Sequence, residues 1–167
     1  MLKANQKQDD IKLKIVVHQK IARLLRDTGN SECIEKAQSL EKEGYRARTL
    51  DLRKLGLKPN DVLAICDILK QEKAKNSDLI QSISFSYNDL IGDKGASVLA
   101  RSLPSSICEL GLVDCGIGDE GGREILHWIK TLPNLNMICI EQNNFSDQLK
   151  MEYGLFKKKA PDRTVVF

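Results

Sequence analysis

A chain of 167 residues with 41% apolar content can bury one ordinary hydrophobic core, and a second globular domain is not expected. Its 26 basic and 23 acidic residues leave a net charge of +3 and a pI of about 8.6, a mixed balance without the one-signed excess of a nucleic-acid binder. No stretch approaches the ~18 apolar residues of a membrane span, and the opening MLKANQKQDD lacks the apolar run of a secretory signal, so the expectation is a soluble chain in the cytoplasm.

In residues 1–46, Leu13, Val16, Val17, Ile21, Leu24 and Leu25 fall on one face of a helix that Gly29 ends. A second helix, capped by Asn30 or Ser31, buries Cys33, Ile34, Ala37 and Leu40 and stops at Gly44. The pair reads either as an α-helical N-terminal cap over the adjoining segment or as a separate helical interaction motif. His18 lies beside the apolar stripe with no partner motif, which places it at the surface or boundary rather than at a catalytic centre.

From residue 47 onward one pattern is written four times. Ala47, Leu50, Leu52, Leu55 and Leu57 occupy positions 1, 4, 6, 9 and 11 of the frame LxxLxLxx(N/C)xL. Ile80, Ile83, Phe85, Asn88 and Leu90 repeat it, followed by Ile107, Leu110, Leu112, Cys115 and Ile117, then Leu135, Ile138, Ile140, Asn143 and Phe145. The copies begin at 47, 80, 107 and 135, hence 33, 27 and 28 residues apart, a period that belongs to leucine-rich repeats. The longer first interval places an insertion at Lys70 to Ser77, looping out between a helix and the next strand.

Within each copy, positions 4 and 6 alternate with polar residues as a half-buried strand requires, and the residues beyond follow helical spacing. The helical stripes are Val62, Ile65 and Leu69; Val98, Leu99 and Leu103; Ile125, Leu126 and Ile129; and Leu149, Tyr153 and Phe156. Pro59 suits a first helical turn, and Pro104 and Pro133 stop two helices at equivalent points. A strand–turn–helix unit cannot bury its own apolar face, whereas stacked units share one core, with parallel strands on one side and helices on the other.

At the ninth position the chain leaves the strand and exposes backbone groups that must be paired. Asn88 and Asn143 can donate and accept there; Cys115 is a weaker substitute and Leu55 none, so the first copy is degenerate. Asp93 and Asp119 are placed to cap their own helices, and the glycines beside them permit close helix-to-strand approach. Neither glycine cluster is a phosphate-binding motif. After Phe145, the Lys157 to Lys159 run ends a helix in accord with its dipole, and RTVVF adds a last strand or docks on the open edge.

The runs NDLIGDKGASVLARSL, from Asn88, and CGIGDEGGREILHWI, from Cys115, with Asn and Cys alternating at position 9, resemble the ribonuclease-inhibitor type of leucine-rich repeat. The resemblance covers roughly residues 47–156. It implies an α/β fold: a short, curved solenoid with a concave parallel sheet that often binds other proteins, helices on the convex side, and about four repeats with a C-terminal cap over residues 47–167. One extra residue precedes Gly95 relative to Gly121.

On the concave face the outward positions are 3, 5, 7 and 8. They give a small centre, Ser82, Ser84, Ser86 and Gly111, between charged margins, with Cys139 at position 5. Arg53, Lys54, Tyr87, Asp114, Met137, Glu141 and Gln142 are the candidate protein-binding residues, Tyr87 and Met137 as anchors and the charges as tuners of orientation. Five cysteines with no CxxC and two histidines indicate neither a zinc site nor a disulfide framework. His127 faces solvent, Trp128 packs at the edge of the helical layer, and no nucleophile–base constellation can be assembled. The expected function is therefore non-enzymatic, without cofactor or metal: a monomeric module that binds another protein as an adaptor, regulatory subunit or bacterial effector. Regulation of a small GTPase and a structural place in a larger assembly are the alternatives.

Overall fold

The computed structural model describes residues 2–43, 48–73 and 80–167, with side chains at 11–42, 48–71 and 80–167. Helices α1 (Leu2–Asp27) and α2 (Ser31–Glu43) precede four strand–helix units. These are β1 (Thr49–Asp51) and α3 (Pro59–Lys73), β2 (Ser82–Ser84) and α4 (Gly92–Ser102), β3 (Glu109–Gly111) and α5 (Asp119–Lys130), and β4 (Met137–Cys139) and α6 (Asp147–Lys159), closed by β5 (Thr164–Val166). All five strands run parallel in chain order in one sheet. The register follows the sequence frame: the third positions Thr49, Ser82, Glu109 and Met137 lie side by side and Thr164 continues the row. RTVVF is thus a fifth parallel strand.

Alternation explains which strand residues turn inward. Leu50, Ile83, Leu110, Ile138 and Val165 are buried, as are Leu52, Phe85, Leu112 and Ile140. They join the stripes of α3 to α6 in one core, a short leucine-rich-repeat solenoid. Ala47 and Gly44 lie outside the described residues, as do residues 74–77, the second half of the expected insertion. Lys70 does not loop out: α3 continues to Lys73, so part of the extra length is helical.

The asparagines act between repeats. Asn88 is fully buried. Its Oδ1 accepts from the N–H groups of Leu55 (2.9 Å) and Leu57 (3.1 Å), and its Nδ2 donates to the carbonyls of Leu52 (2.9 Å) and Phe85 (2.6 Å). Asn143 does the same two units on, accepting from Cys115 and Ile117 and donating to Leu112 and Ile140. Each amide therefore pairs the turn of the preceding unit, while Cys115 sends its thiol to the Phe85 carbonyl at 3.3 Å. Leu55 is tolerable in the first unit because neighbours serve its turn. Asn88 takes its N–H, and Cys33 Sγ and Asn30 Nδ2, each at 3.3 Å, donate to its carbonyl.

Several expectations need correction. Position 11 of the second unit is Ile91, not Leu90: Leu90 is 52% exposed and Ile91 is buried, because one extra residue in that turn shifts the inward site by one. Asp93 does not cap its own helix. Its Oδ1 accepts from Gly118 N (2.7 Å) and Gly121 N (3.0 Å) at the start of α5, and Asp119 likewise accepts from Ser146 N and Ser146 Oγ ahead of α6. The glycine behind this contact allows helices, rather than helix and strand, to approach: a Cβ on Gly121 would lie 2.8 Å from Ala96 Cβ and from Asp93 Cα in α4. In the leading pair, Asn30 Oδ1 accepts from Glu32 N at 2.8 Å and caps α2, but Ile34 and Val16 stay exposed.

His18 is not at the surface. α1 packs against α2 and α3, leaving His18 only 1% exposed, with Nδ1 bonded to the Lys14 carbonyl at 2.7 Å and Nε2 buried without a hydrogen-bond partner. Burial, with a smaller contribution from Lys14, lowers its pKa from the usual 6.5 despite the Lys14 carbonyl bond. The fold holds the neutral imidazole, so at pH below about 6.5 the unfolded chain binds a proton that the folded chain refuses. Stability should be independent of His18 above that pH and fall as pH drops from 6.5 toward the depressed native value. Thermal melts at pH 7.5 and 5.5 should show a larger acid-side loss for the native chain than for His18→Gln; equal losses would count against the burial of a neutral ring.

Candidate protein-interaction face

Opposite the helices, the strands present the side chains at positions 3, 5, 7 and 8. The eighth position decides how they project. Lys54, Tyr87, Asp114 and Gln142 all have left-handed backbone, with φ of 59°, 63°, 50° and 62°. A non-glycine residue in this region costs about 1–2 kcal/mol, yet none of the four equivalent turns uses glycine there. All four side chains are exposed, forming one row along the rim where the strands end.

Around that row the face divides by charge. On the β1 side Arg53 grips Asp51 through Nε and a terminal nitrogen, both at 2.9 Å, and Lys36 Nζ of α2 lies 3.8 Å from the same carboxylate. The Arg53 hydrogen bonds, aided by Lys36, overcome partial burial and hold the Asp51 carboxyl at about 2. Lys54 Nζ sits 5.3 Å from the centre of the Tyr87 ring, within cation–π reach, and Tyr87 remains 41% exposed. On the β3–β4 side Asp114 and Gln142 are exposed, Met137 is 38% exposed, and Glu141 is half-buried with Oε2 lacking a hydrogen-bond partner.

The seven candidate residues therefore share one face, though Arg53 is committed to Asp51. Ser86, expected to face outward, is buried: its Oγ accepts from Val113 N at 3.0 Å and meets Ser84 Oγ at 3.2 Å. The centre is shallow because Ser84 Oγ leans to within 2.6 Å of where a Gly111 Cβ would be. Two residues escaped sequence reasoning. Lys36 reaches the face from α2, which no linear spacing signals. Val166, 38% exposed on β5, was legible, since Val165 and Phe167 continue positions 4 and 6 of the frame one period after Leu135.

Three of the thiols are poor nucleophiles. Burial pushes Cys66 up to about 12 and Cys115 up to about 11, and burial together with the Glu141 charge raises Cys139 on the strand face. Among the described residues, no group of three or more His, Cys, Asp or Glu side chains could hold a metal ion, and no helix is long and apolar enough to cross a membrane.

Comparison with known proteins matches the second and third units. The family model described as Leucine Rich repeat covers residues 79–100 and 106–126. These segments are leucine-rich repeats. They coincide with the turns built on Asn88 and Cys115 and with the first parts of α4 and α5. Over 75 residues, 44% of this chain, the sequence is 33% identical to Centrosomal protein of 78 kDa from Mus musculus, and the match takes in 10% of that protein. The chain thus spans about a tenth of the length of this curated relative. Repeats of this kind support a protein-interaction module.

Proposed function

We propose that the chain is a non-enzymatic module that binds a partner protein on its strand face through Arg53, Lys54, Tyr87, Asp114, Met137, Glu141 and Gln142. It acts in the cytoplasm as an adaptor or regulatory subunit. Residues 47–167 form the repeat unit, of the ribonuclease-inhibitor type given the alternation of Asn88, Cys115 and Asn143, and residues 1–46 cap it. The observation that carries this reading is the row of left-handed turn residues. The stacked units impose that conformation, and large or charged side chains occupy it at a backbone cost that glycine would avoid.

The test compares the full chain with the triple variant Arg53→Glu, Tyr87→Ala and Met137→Ala as affinity baits, both with native circular dichroism and melting. A partner retained by the full chain and lost by the variant supports the reading; retention by both moves binding to the helical face or to α1 and α2. The similarity to a stretch of a centrosomal protein favours one second reading, a structural subunit of an assembly. Light-scattering mass at rising concentration separates self-assembly from a monomeric binder.

A further inference from the structure

The charge division of the strand face points to a particular occupant. On the β1 side, Lys36 and Arg53 flank the single carboxylate of Asp51, already gripped by Arg53, and Lys54 lies over the Tyr87 ring. Glu109, Asp114 and Glu141 lie on the β3–β4 side and make no ion pair among the described residues. The unpartnered Glu141 Oε2 matters most, because a buried carboxylate oxygen is unfavourable until a donor reaches it. Because Oε2 is closed off in the free chain, a cation brought by a partner would act by offsetting the negative charge of the Asp114 and Glu141 edge rather than by bonding that oxygen directly.

We infer that this face takes an amphipathic helix of a partner protein, laid across the strands with a carboxylate over Arg53 and Lys54 and a cation over Asp114 and Glu141. This rests on the strand face being the binding surface proposed above. Strands lie about 4.8 Å apart, so β1 and the midpoint of β3 and β4 are roughly 12 Å apart, and at about 1.5 Å per residue and 3.6 residues per turn the two partner charges fall about seven or eight helical residues apart, where both can face the strands. The shallow Ser84, Ser86 and Gly111 centre admits a helix closely, with Tyr87 and Met137 as apolar contacts on either side. A second copy of this chain fits less well. Five strands give a patch roughly 20 Å by 15 Å, and two such patches bury about 600 Å² in total, short of the ~1,200 Å² at the lower end of stable interfaces.

The experiment is a selection from a displayed library of helical peptides, apolar on one face and randomised at charged positions, against the full chain. Recovered peptides should carry Asp or Glu about seven or eight residues from Lys or Arg. They should bind at least tenfold more weakly to the inverted variant Arg53→Glu, Lys54→Glu, Asp114→Lys and Glu141→Lys, once circular dichroism shows that it folds. Peptides with the two charges exchanged should prefer that variant. Recovered peptides that tolerate the inversion but are lost on Tyr87→Ala and Met137→Ala would overturn the charge pairing and leave the strand face as the binding surface. Peptides insensitive to both variants, or no peptides at all, would overturn both.

Discussion

Replacing Asn88 with alanine should lower the unfolding free energy by about 3–5 kcal/mol, a large share of the ~5–15 kcal/mol that holds a domain together. The amide makes four hydrogen bonds to backbone groups of two units and has no access to water. Alanine strips partners from the Leu55 and Leu57 N–H groups and from the Leu52 and Phe85 carbonyls, each costing about 1–3 kcal/mol when left buried and unpaired, less whatever relaxation recovers. Asn88→Cys should rank between native and alanine, since Cys115 serves the equivalent turn with a single thiol donor to Phe85. Urea denaturation measures the series. A loss under 1 kcal/mol for Asn88→Ala would mean that the turns pair with water, and the amide ladder would not be what fixes the stacking.

Tyr153→Ala should cost about 3–5 kcal/mol, in the range of large aromatic deletions from a core. The ring is fully buried, stacks on Phe145 with centroids 5.6 Å apart, and meets Phe167 at 5.7 Å. Its hydroxyl donates to the Gly122 carbonyl at 2.8 Å, and burial keeps the phenol un-ionised well above its ordinary pKa. The residue thereby ties α6 to α5 and holds the end of the chain. Tyr153→Phe should lose only about 1 kcal/mol, the net worth of that hydrogen bond. In the alanine variant, amide exchange at Val165 and Val166 should speed up before exchange in β2 and β3 does. Uniform acceleration would show that β5 unfolds with the rest of the solenoid rather than hanging on Tyr153.

Charge and shape at the strand face were partly legible before any coordinates. The frame places Lys54, Tyr87, Asp114 and Gln142 at one recurring position, and that position became a row on one rim. The grip of Arg53 on Asp51 joins residues two apart on one face of a strand, which alternation allows. Ser86 shared the same alternation yet is buried, because the neighbouring strand offers Val113 N to its hydroxyl.

What the sequence by itself determined is whatever depends on the local period. Alternate residues of a strand point to opposite sides, and a helix returns to the same face every three or four residues. The inward set Leu50, Ile83, Leu110 and Ile138, the stripes of α3 to α6 and the parallel register follow from that geometry. Tertiary structure alone decided what crosses from one unit to the next. Asp93 reaches the start of α5 rather than α4, Lys36 joins Asp51 from another element, and His18 is buried on an α1 that packs against α2 and α3. These outcomes depend on the offset and distance between stacked units. That offset is set by side-chain volume and close contacts such as Gly121 against Ala96, and no periodicity along a single chain encodes it.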